Sequence, residues 1–257
     1  MLLRLVQAVG AQAIALFNIF GQAALFLFQV IYTFFTTKLK VRKLFEQMQS
    51  IGVDSLSIIL LTGVFSGGVL ALQSYIGFKR FGAEEFIGPV VALSLIRELG
   101  PVLTGLMVTG RAGSSIAAEL GTMEITEQID ALKTLCINVY QFLMVPRVLG
   151  ATIILPFLTL FSMFCGIGGG YCVCVYVLNL NGEQYISGIK TFVELSDITG
   201  GLIKAAVFGL ILSWIGCYKG FSTMGGAKGV GIATTQSVVV SSIMILIANY
   251  FLTAFLF

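Results

Sequence analysis

The 257 residues include no histidine, which excludes a histidine general base, a histidine metal ligand and a Ser-His-Asp triad. The phosphate-binding pattern G-x-x-x-x-G-K-[ST] is also absent, so the chain has no P-loop with which to hydrolyse ATP. Only 11% of the residues are charged, whereas an average soluble domain is about one quarter charged. These shortages exclude a soluble globular enzyme, a disordered protein and a nucleic-acid-binding protein.

Hydrophobic residues make up 57% of the chain and are gathered in long runs. A membrane-crossing helix needs roughly 20 largely apolar residues. Five stretches satisfy this length, at residues 56–78, 86–108, 148–177, 198–218 and 237–257. We therefore predict an all-α integral membrane protein with five transmembrane helices, in which residues 55–257 form the bundle of a single membrane domain over 1–257.

Residues 1–50 precede this bundle and have a different pattern. At 100° per residue, the polar side chains of this segment fall on one narrow helical face, namely Arg4, Gln7, Asn18, Gln22 and Gln29. A basic cluster follows at residues 38–43. The pattern predicts an interfacial amphipathic helix or a re-entrant elbow. A spanning helix whose polar face contacts other helices is the alternative.

The distribution of basic residues predicts the orientation. With the N-terminus inside, ten of the 15 Lys and Arg residues lie inside, three lie outside and two lie within spans. The positive-inside rule therefore favours a cytoplasmic N-terminus and an external C-terminus. The longest cytoplasmic connection is then 109–147, and 179–197 is a polar outer loop.

Two adjacent charges, Arg97 and Glu98, lie in the middle of the second span. A charge at the bilayer centre costs roughly 2.5 to 3.5 kcal/mol, so such residues usually face a bundle interior or a wet cavity. Pro101 cannot donate a hydrogen bond to the carbonyl of Arg97, so a kink is expected. The pair predicts either the lining of a polar cavity or an ion pair to another helix.

Lys204 is a third intramembrane charge, in the fourth span. It either extends toward the outer surface or faces the same cavity, where Asn249 is a possible polar partner. Close helix packing is predicted by glycines at positions 63, 67, 68, 166, 168, 169 and 170. Beyond them Leu70, Gln73 and Tyr75 approach the outer end of the first span, where an apolar pocket with a few polar groups would suit an amphipathic ligand.

Residues 115–135 of the cytoplasmic connection are predicted to be helical apart from Gly121. Its acidic residues are Glu119, Glu124, Glu127 and Asp130. A short cytoplasmic helix between spans could dock into a groove on another protein. A solvated surface helix is the alternative.

An ordered string of motifs resembles the MlaE (YrbE) family, the permease subunits of ABC transporters that work with MCE proteins. The motifs are Leu93-Ser-Leu-Ile-Arg97-Glu98-Leu-Gly-Pro101, Gly110-Arg-Ala-Gly-Ser-Ser and Ala118-Glu-Leu-Gly121-Thr-Met-Glu124-Ile-Thr-Glu127-Gln128. The resemblance implies a homodimeric multi-pass permease of the bacterial inner membrane, without enzymatic activity or a cofactor of its own. Its implied partners are ATPase subunits that hold ATP and Mg²⁺, a periplasmic MCE-domain protein and a small STAS-domain protein.

The same resemblance implies that the substrate is glycerophospholipid and that the function is to maintain outer-membrane lipid asymmetry. The implied lipid cavity comprises Leu70, Gln73, Tyr75, Arg97, Glu98, Lys204 and Asn249. The implied ATPase-coupling helix, residues 119–131, includes Glu119, Glu124, Glu127 and Ala131.

Asn249 departs from the aspartate that is frequent in the family, which removes a salt bridge from Lys204 to that position. Two other functions remain open: an ion-coupled secondary transporter that uses Arg97, Glu98 and Lys204, and a membrane enzyme acting on lipid.

Overall fold

The computed structural model describes residue 18 and residues 21–256, and within these ranges the chain is helical with no strand. The α-helices are α1 Gly21–Thr36, α2 Val41–Phe78, α3 Ile87–Ser94, α4 Gly100–Val108, α5 Ser114–Ile125, α6 Gln128–Thr134, α7 Val145–Cys172, α8 Gly182–Phe192, α9 Leu195–Phe221 and α10 Gly226–Leu256. Among the described residues, five helical segments are long and apolar enough to cross a membrane: Val41–Phe81, Glu84–Ile125, Tyr140–Val177, Leu195–Phe221 and Gly226–Leu256. The predicted all-α fold with five transmembrane helices is confirmed.

The described part of the N-terminal helix, α1, is shorter than the roughly 20 residues that a crossing needs. Its Phe26 ring packs against Tyr140, Tyr218 and Phe221, near the C-terminal end of α9. The indole nitrogen of Trp214 donates a hydrogen bond of 2.9 Å to the carbonyl of residue 23. The described part is an apolar helix beside the bundle, as both alternatives for this segment predict. Arg4 and Gln7 of the predicted polar face lie outside the described residues.

The first spanning helix begins earlier than its hydropathy indicates. α2 starts at Val41 and continues through the predicted boundary between residues 50 and 55. Gly52 does not break it, since Ile154 of α7 packs closely over the missing side chain. The basic residues that follow α1 therefore lead directly into a helix that enters the membrane.

The glycines of α2 and α7 allow their backbones to touch. A Cβ atom added at Gly67 would collide with the carbonyl of Gly166, and one added at Gly169 would collide with the carbonyl of Val64. The predicted close packing is confirmed at these positions. Gly168 differs, because nothing lies within 4 Å of where its Cβ would be.

Two connections differ from the sequence-based predictions. The helix in 115–135 breaks at Glu127, whose φ is 59°, and runs uninterrupted through Gly121. Gly121 stays helical because its missing side chain admits Thr223, whose Oγ1 would lie 2.9 Å from an added Cβ. The outer loop 179–197 contains a helix, α8, which begins where Asn181 accepts a hydrogen bond from the Glu183 amide. Tyr185 anchors α8 as a buried residue.

Candidate functional site

The central feature of the site is an ion pair between Glu98 and Lys204. The Lys204 ammonium lies 2.8 Å from Glu98 Oε1, and its side chain is fully buried whereas that of Glu98 is 36% exposed. Glu98 lies in the π-helical turn Leu95–Leu99 between α3 and α4, and Lys204 lies in α9. The alternative in which Lys204 extends toward the outer surface is wrong, because its ammonium is buried against Glu98. That Lys204 faces a cavity stays a prediction. A buried ammonium requires a nearby counter-charge, which Glu98 provides.

Pro101 explains a second contact of Lys204. Because proline has no N–H, it cannot donate to the carbonyl four residues earlier, which belongs to Arg97. Lys204 donates to that carbonyl at 2.8 Å. The predicted disturbance of the helix takes the form of the π-helical turn, in which the Gly100 amide bonds to the carbonyl of Leu95. The irregular backbone thus creates an acceptor for the buried lysine.

The last helix completes the cluster around Glu98. Asn249 Nδ2 donates to Glu98 Oε2 at 2.8 Å, and the Thr253 hydroxyl lies 2.8 Å from both Glu98 Oε1 and the Lys204 ammonium. Asn249 therefore does not need to be an acidic partner of Lys204, because both residues bind the Glu98 carboxylate. Thr253 was missed in the sequence, although it lies four residues after Asn249 on the same helical face.

Arg97 forms a second ion pair, with an acidic residue that the sequence analysis did not select. Its Nη2 lies 2.7 Å from Asp197 Oδ1, and the Asp197 side chain is only 2% exposed. Asp197 Oδ2 accepts from the Glu194 amide, which caps the start of α9. Asp197 was overlooked because it precedes the apolar run, yet its position in the first turn of a helix was the available signal. The cluster therefore contains two ion pairs, each with one basic and one acidic residue, and has no net charge.

This cluster is partly accessible. The Arg97 side chain is 41% exposed, close to the value for Glu98. Neighbouring groups of opposite sign that remain partly exposed within apolar helices can hold a polar head group without a catalytic step. The ion-pair interpretation of Arg97 and Glu98 is confirmed, and their exposure leaves them able to line a cavity as well.

The other predicted cavity residues lie on α2. Leu70 and Tyr75 pack against the apolar cluster that also receives Leu99, the neighbour of Glu98, whereas Gln73 is exposed. A separate apolar groove of about 520 Å³ opens between α2 and α7, lined by Val64, Phe65, Leu72 and Cys165 among others. The structure thus brings Arg97, Glu98, Lys204 and Asn249 together. Leu70 and Tyr75 pack on the same apolar cluster as Leu99, the neighbour of Glu98.

The predicted coupling residues occupy different environments. Glu119 pairs with Arg147 at 2.7 Å, and Glu124 Oε2 is buried without a hydrogen-bond partner among the described residues. Glu127 is exposed at the turn between α5 and α6, and its carbonyl accepts from the amide of Ala131, which is also exposed. Nearby, the hydrogen bond to Asp130 raises the pKa of the Lys133 ammonium above its ordinary value. The α5–α6 turn and most of α6 are therefore exposed.

The coupling segment packs on the two helices that hold Lys204 and Asn249. Gly220 of α9 lies against Leu120 and Ala117 of α5, and the Thr223 side chain covers Gly121. α10 also packs along α5, and Ser237 of α10 donates to the carbonyl of Gly113, in the π-helical turn just before α5, at 3.4 Å. A displacement of α5 would therefore reach α9 and α10 through direct contacts.

Comparison with known proteins agrees with this architecture. The family model "Permease MlaE" matches residues 44–255. A Rickettsia typhi protein named "Probable ABC transporter permease protein" is 49% identical over 100% of this chain and 99% of its own length. The Haemophilus influenzae "Intermembrane phospholipid transport system permease protein MlaE" is 38% identical over 100% of this chain and 99% of its own. An Arabidopsis thaliana chloroplast protein, "TRIGALACTOSYLDIACYLGLYCEROL 1", is 38% identical over 89% of this chain and 65% of its own. The chain therefore belongs to the MlaE permease family.

Proposed function

We propose that this chain is the permease subunit of an ABC transporter that moves glycerophospholipids between the bacterial inner membrane and a periplasmic MCE-domain carrier. This transport would maintain the lipid asymmetry of the outer membrane. The chain would act as a homodimer with two cytoplasmic ATPase subunits, which hold ATP and Mg²⁺, and with a STAS-domain protein. Its similarity to a relative named for phospholipid transport supports this function.

The observation that carries the proposal is the partly exposed, charge-balanced cluster of Arg97 and Glu98 beside apolar side chains. A phospholipid presents a charged head group and apolar chains, so it needs both kinds of surface within one site. Arg97 offers donors to a phosphate, and Glu98 offers an acceptor to an ammonium or hydroxyl group. Leu70 and Tyr75 provide an apolar side for the acyl chains.

The transport step requires that motion of the ATPase reach this cluster. The exposed turn at Glu127 is the proposed contact with the ATPase, and α5 would pass its displacement to α9 and α10. Movement of these helices would separate or join the partners of Glu98, since Lys204 and Asn249 lie on them. Lipid would then be bound in one arrangement and released in the other.

The test is a mild-detergent purification of the tagged chain from native membranes, followed by mass spectrometry of proteins and lipids. We expect an ABC ATPase, an MCE-domain protein and bound phospholipid to accompany the chain. A chain that purifies without an ATPase would contradict the proposal. It would favour ion-coupled transport through the Arg97, Glu98 and Lys204 charges.

Charge reversal at Glu127 is expected to weaken ATPase binding without unfolding the chain. Glu127 is exposed, and surface substitutions usually change the free energy of unfolding by less than about 0.5 kcal/mol. We expect Glu127→Arg to reduce ATPase co-purification and lipid transfer at least tenfold while the melting temperature stays near that of the wild type. Glu85→Arg, an exposed reversal at the opposite end of the second span, is the matched control. Normal assembly of the Glu127→Arg complex would remove this residue from the coupling contact.

A further inference from the structure

A polar pocket of about 230 Å³ lies away from the Glu98 cluster, where the N-terminal end of α2 meets α5 and the start of α7. Its lining includes Lys43, Glu119, Phe142 and Arg147. The predicted orientation places this end of the bundle at the cytoplasmic face, beside the basic residues that connect α1 with α2. None of the residues predicted to form the lipid cavity lines this pocket.

Arg147 is the most buried charge of the pocket, with a side chain that is 4% exposed. Its Nη1 donates to the carbonyl of Leu143 at 2.8 Å, and its Nη2 lies 2.7 Å from Glu119 Oε1. Its Nε is buried and has no acceptor among the described residues. An unsatisfied buried donor is costly, so a bound acceptor at this position would be favourable.

Lys43 lies beside Arg147 in the lining of the pocket, and Lys40 lies over Phe142 at its edge. The ammonium groups of Lys43 and Lys40 lie 3.5 Å and 4.4 Å from the centre of the Phe142 ring, which holds them side by side. The two carboxylates of the pocket already have basic partners, since Glu119 binds Arg147 and Glu46 lies 3.2 Å from Arg42. Within the lining, Lys43 and Arg147 balance Glu46 and Glu119. Lys40 and Arg42 lie next to the lining, so the pocket together with its immediate surroundings has a positive excess for an anion.

The surrounding side chains are typical of a membrane surface. Phe35 and Phe45, on either side of the basic residues, are 79% and 64% exposed. Phenylalanine side chains beside lysine and arginine are typical of helices that lie at the membrane–water interface. Basic pockets between transmembrane helices on the cytoplasmic side bind the head groups of anionic lipids. The position therefore favours a lipid phosphate over a soluble anion.

We propose that this pocket binds the phosphate group of an anionic phospholipid from the cytoplasmic leaflet, with Arg147 and Lys43 as donors. The site is additional to the proposed transport cavity and requires only that the chain sit in a membrane with this face inward. Because Glu119 of α5 forms one wall, the bound lipid contacts the segment proposed to receive ATPase motion.

The test uses the full chain in nanodiscs of phosphatidylcholine mixed with phosphatidylglycerol, with retained lipids measured by native mass spectrometry. We expect the wild type to retain phosphatidylglycerol in preference to phosphatidylcholine. Lys43→Gln should weaken this preference about fivefold, because one basic residue near an anionic surface contributes about that factor. Arg147→Lys, which keeps the charge and removes Nε, should weaken it as well. Lys228→Gln removes an exposed charge from the same predicted side and should leave it unchanged.

The alternatives are separated by the same experiment. Equal retention of the two lipids by the wild type would overturn the proposal, as would equal weakening by Lys43→Gln and Lys228→Gln, which would indicate diffuse surface charge. Competition by millimolar inorganic phosphate would assign the pocket to a soluble anion. Addition of the ATPase gives a further comparison. Loss of the bound lipid on ATPase binding would assign the pocket to an acidic segment of that partner. Thermal unfolding of each variant verifies that the chain remains folded.

Discussion

Glu98→Arg is expected to abolish lipid transfer and to lower the free energy of unfolding by at least about 3 kcal/mol. Removing one partner of a buried ion pair typically costs about 3–5 kcal/mol, because the other charge is left uncompensated. Here that charge is Lys204, which is fully buried, and the new arginine would add a like charge beside it. Asn249 and Thr253 would also lose their acceptor. Thermal unfolding in detergent and lipid transfer in proteoliposomes measure the two effects.

Two further variants separate stability from transport. Glu98→Gln retains the shape and part of the hydrogen bonding, so we expect a smaller loss of stability with a clear loss of transfer. The double variant Glu98→Met with Lys204→Met removes both charges, and apolar replacement of a buried pair is often neutral or stabilising. A folded double variant that still transfers lipid at the wild-type rate would show that the pair has a structural role only.

Gly67→Val is expected to prevent α2 and α7 from packing. A Cβ at this position would collide with the carbonyl of Gly166, and backbone atoms of two packed helices cannot yield as a flexible side chain can. Overpacking typically costs about 1–3 kcal/mol, and the direct backbone collision places this variant at or above that limit. We expect a large fall in the yield of folded protein and in its melting temperature, both measured in detergent.

Gly77→Val in the same helix is the matched control. Nothing lies within 4 Å of a Cβ at Gly77, and the residue is exposed. We expect it to fold like the wild type, since the chemical change is the same and only the surroundings differ. Equal melting temperatures for Gly67→Val and Gly77→Val would contradict the close α2–α7 contact.

Properties that depend on local sequence were predictable. The five spans follow from apolar runs of sufficient length, and the disturbed helix at Arg97 follows from the missing N–H of Pro101. The interior position of Lys204 was only one of two alternatives, because a long side chain near a helix end can also extend outward. The predicted break at Gly121 was wrong because the sequence does not show the tertiary contact. Glycine weakens a helix, but here the Thr223 side chain packs where a Cβ would be, and the helix continues.

The ordered MlaE-like motifs were sufficient to identify the family, and the apolar runs were sufficient to predict an all-α membrane domain. The tertiary structure alone decided which charges pair. Glu98 and Lys204 are 106 residues apart, and Arg97 and Asp197 are 100 residues apart. A single sequence contains no signal for such pairings, because a charge in a low-dielectric interior takes whichever partner the helix packing brings within hydrogen-bond distance. The same reason applies to Arg147 and Glu119, whose contact forms only when α5 and α7 meet.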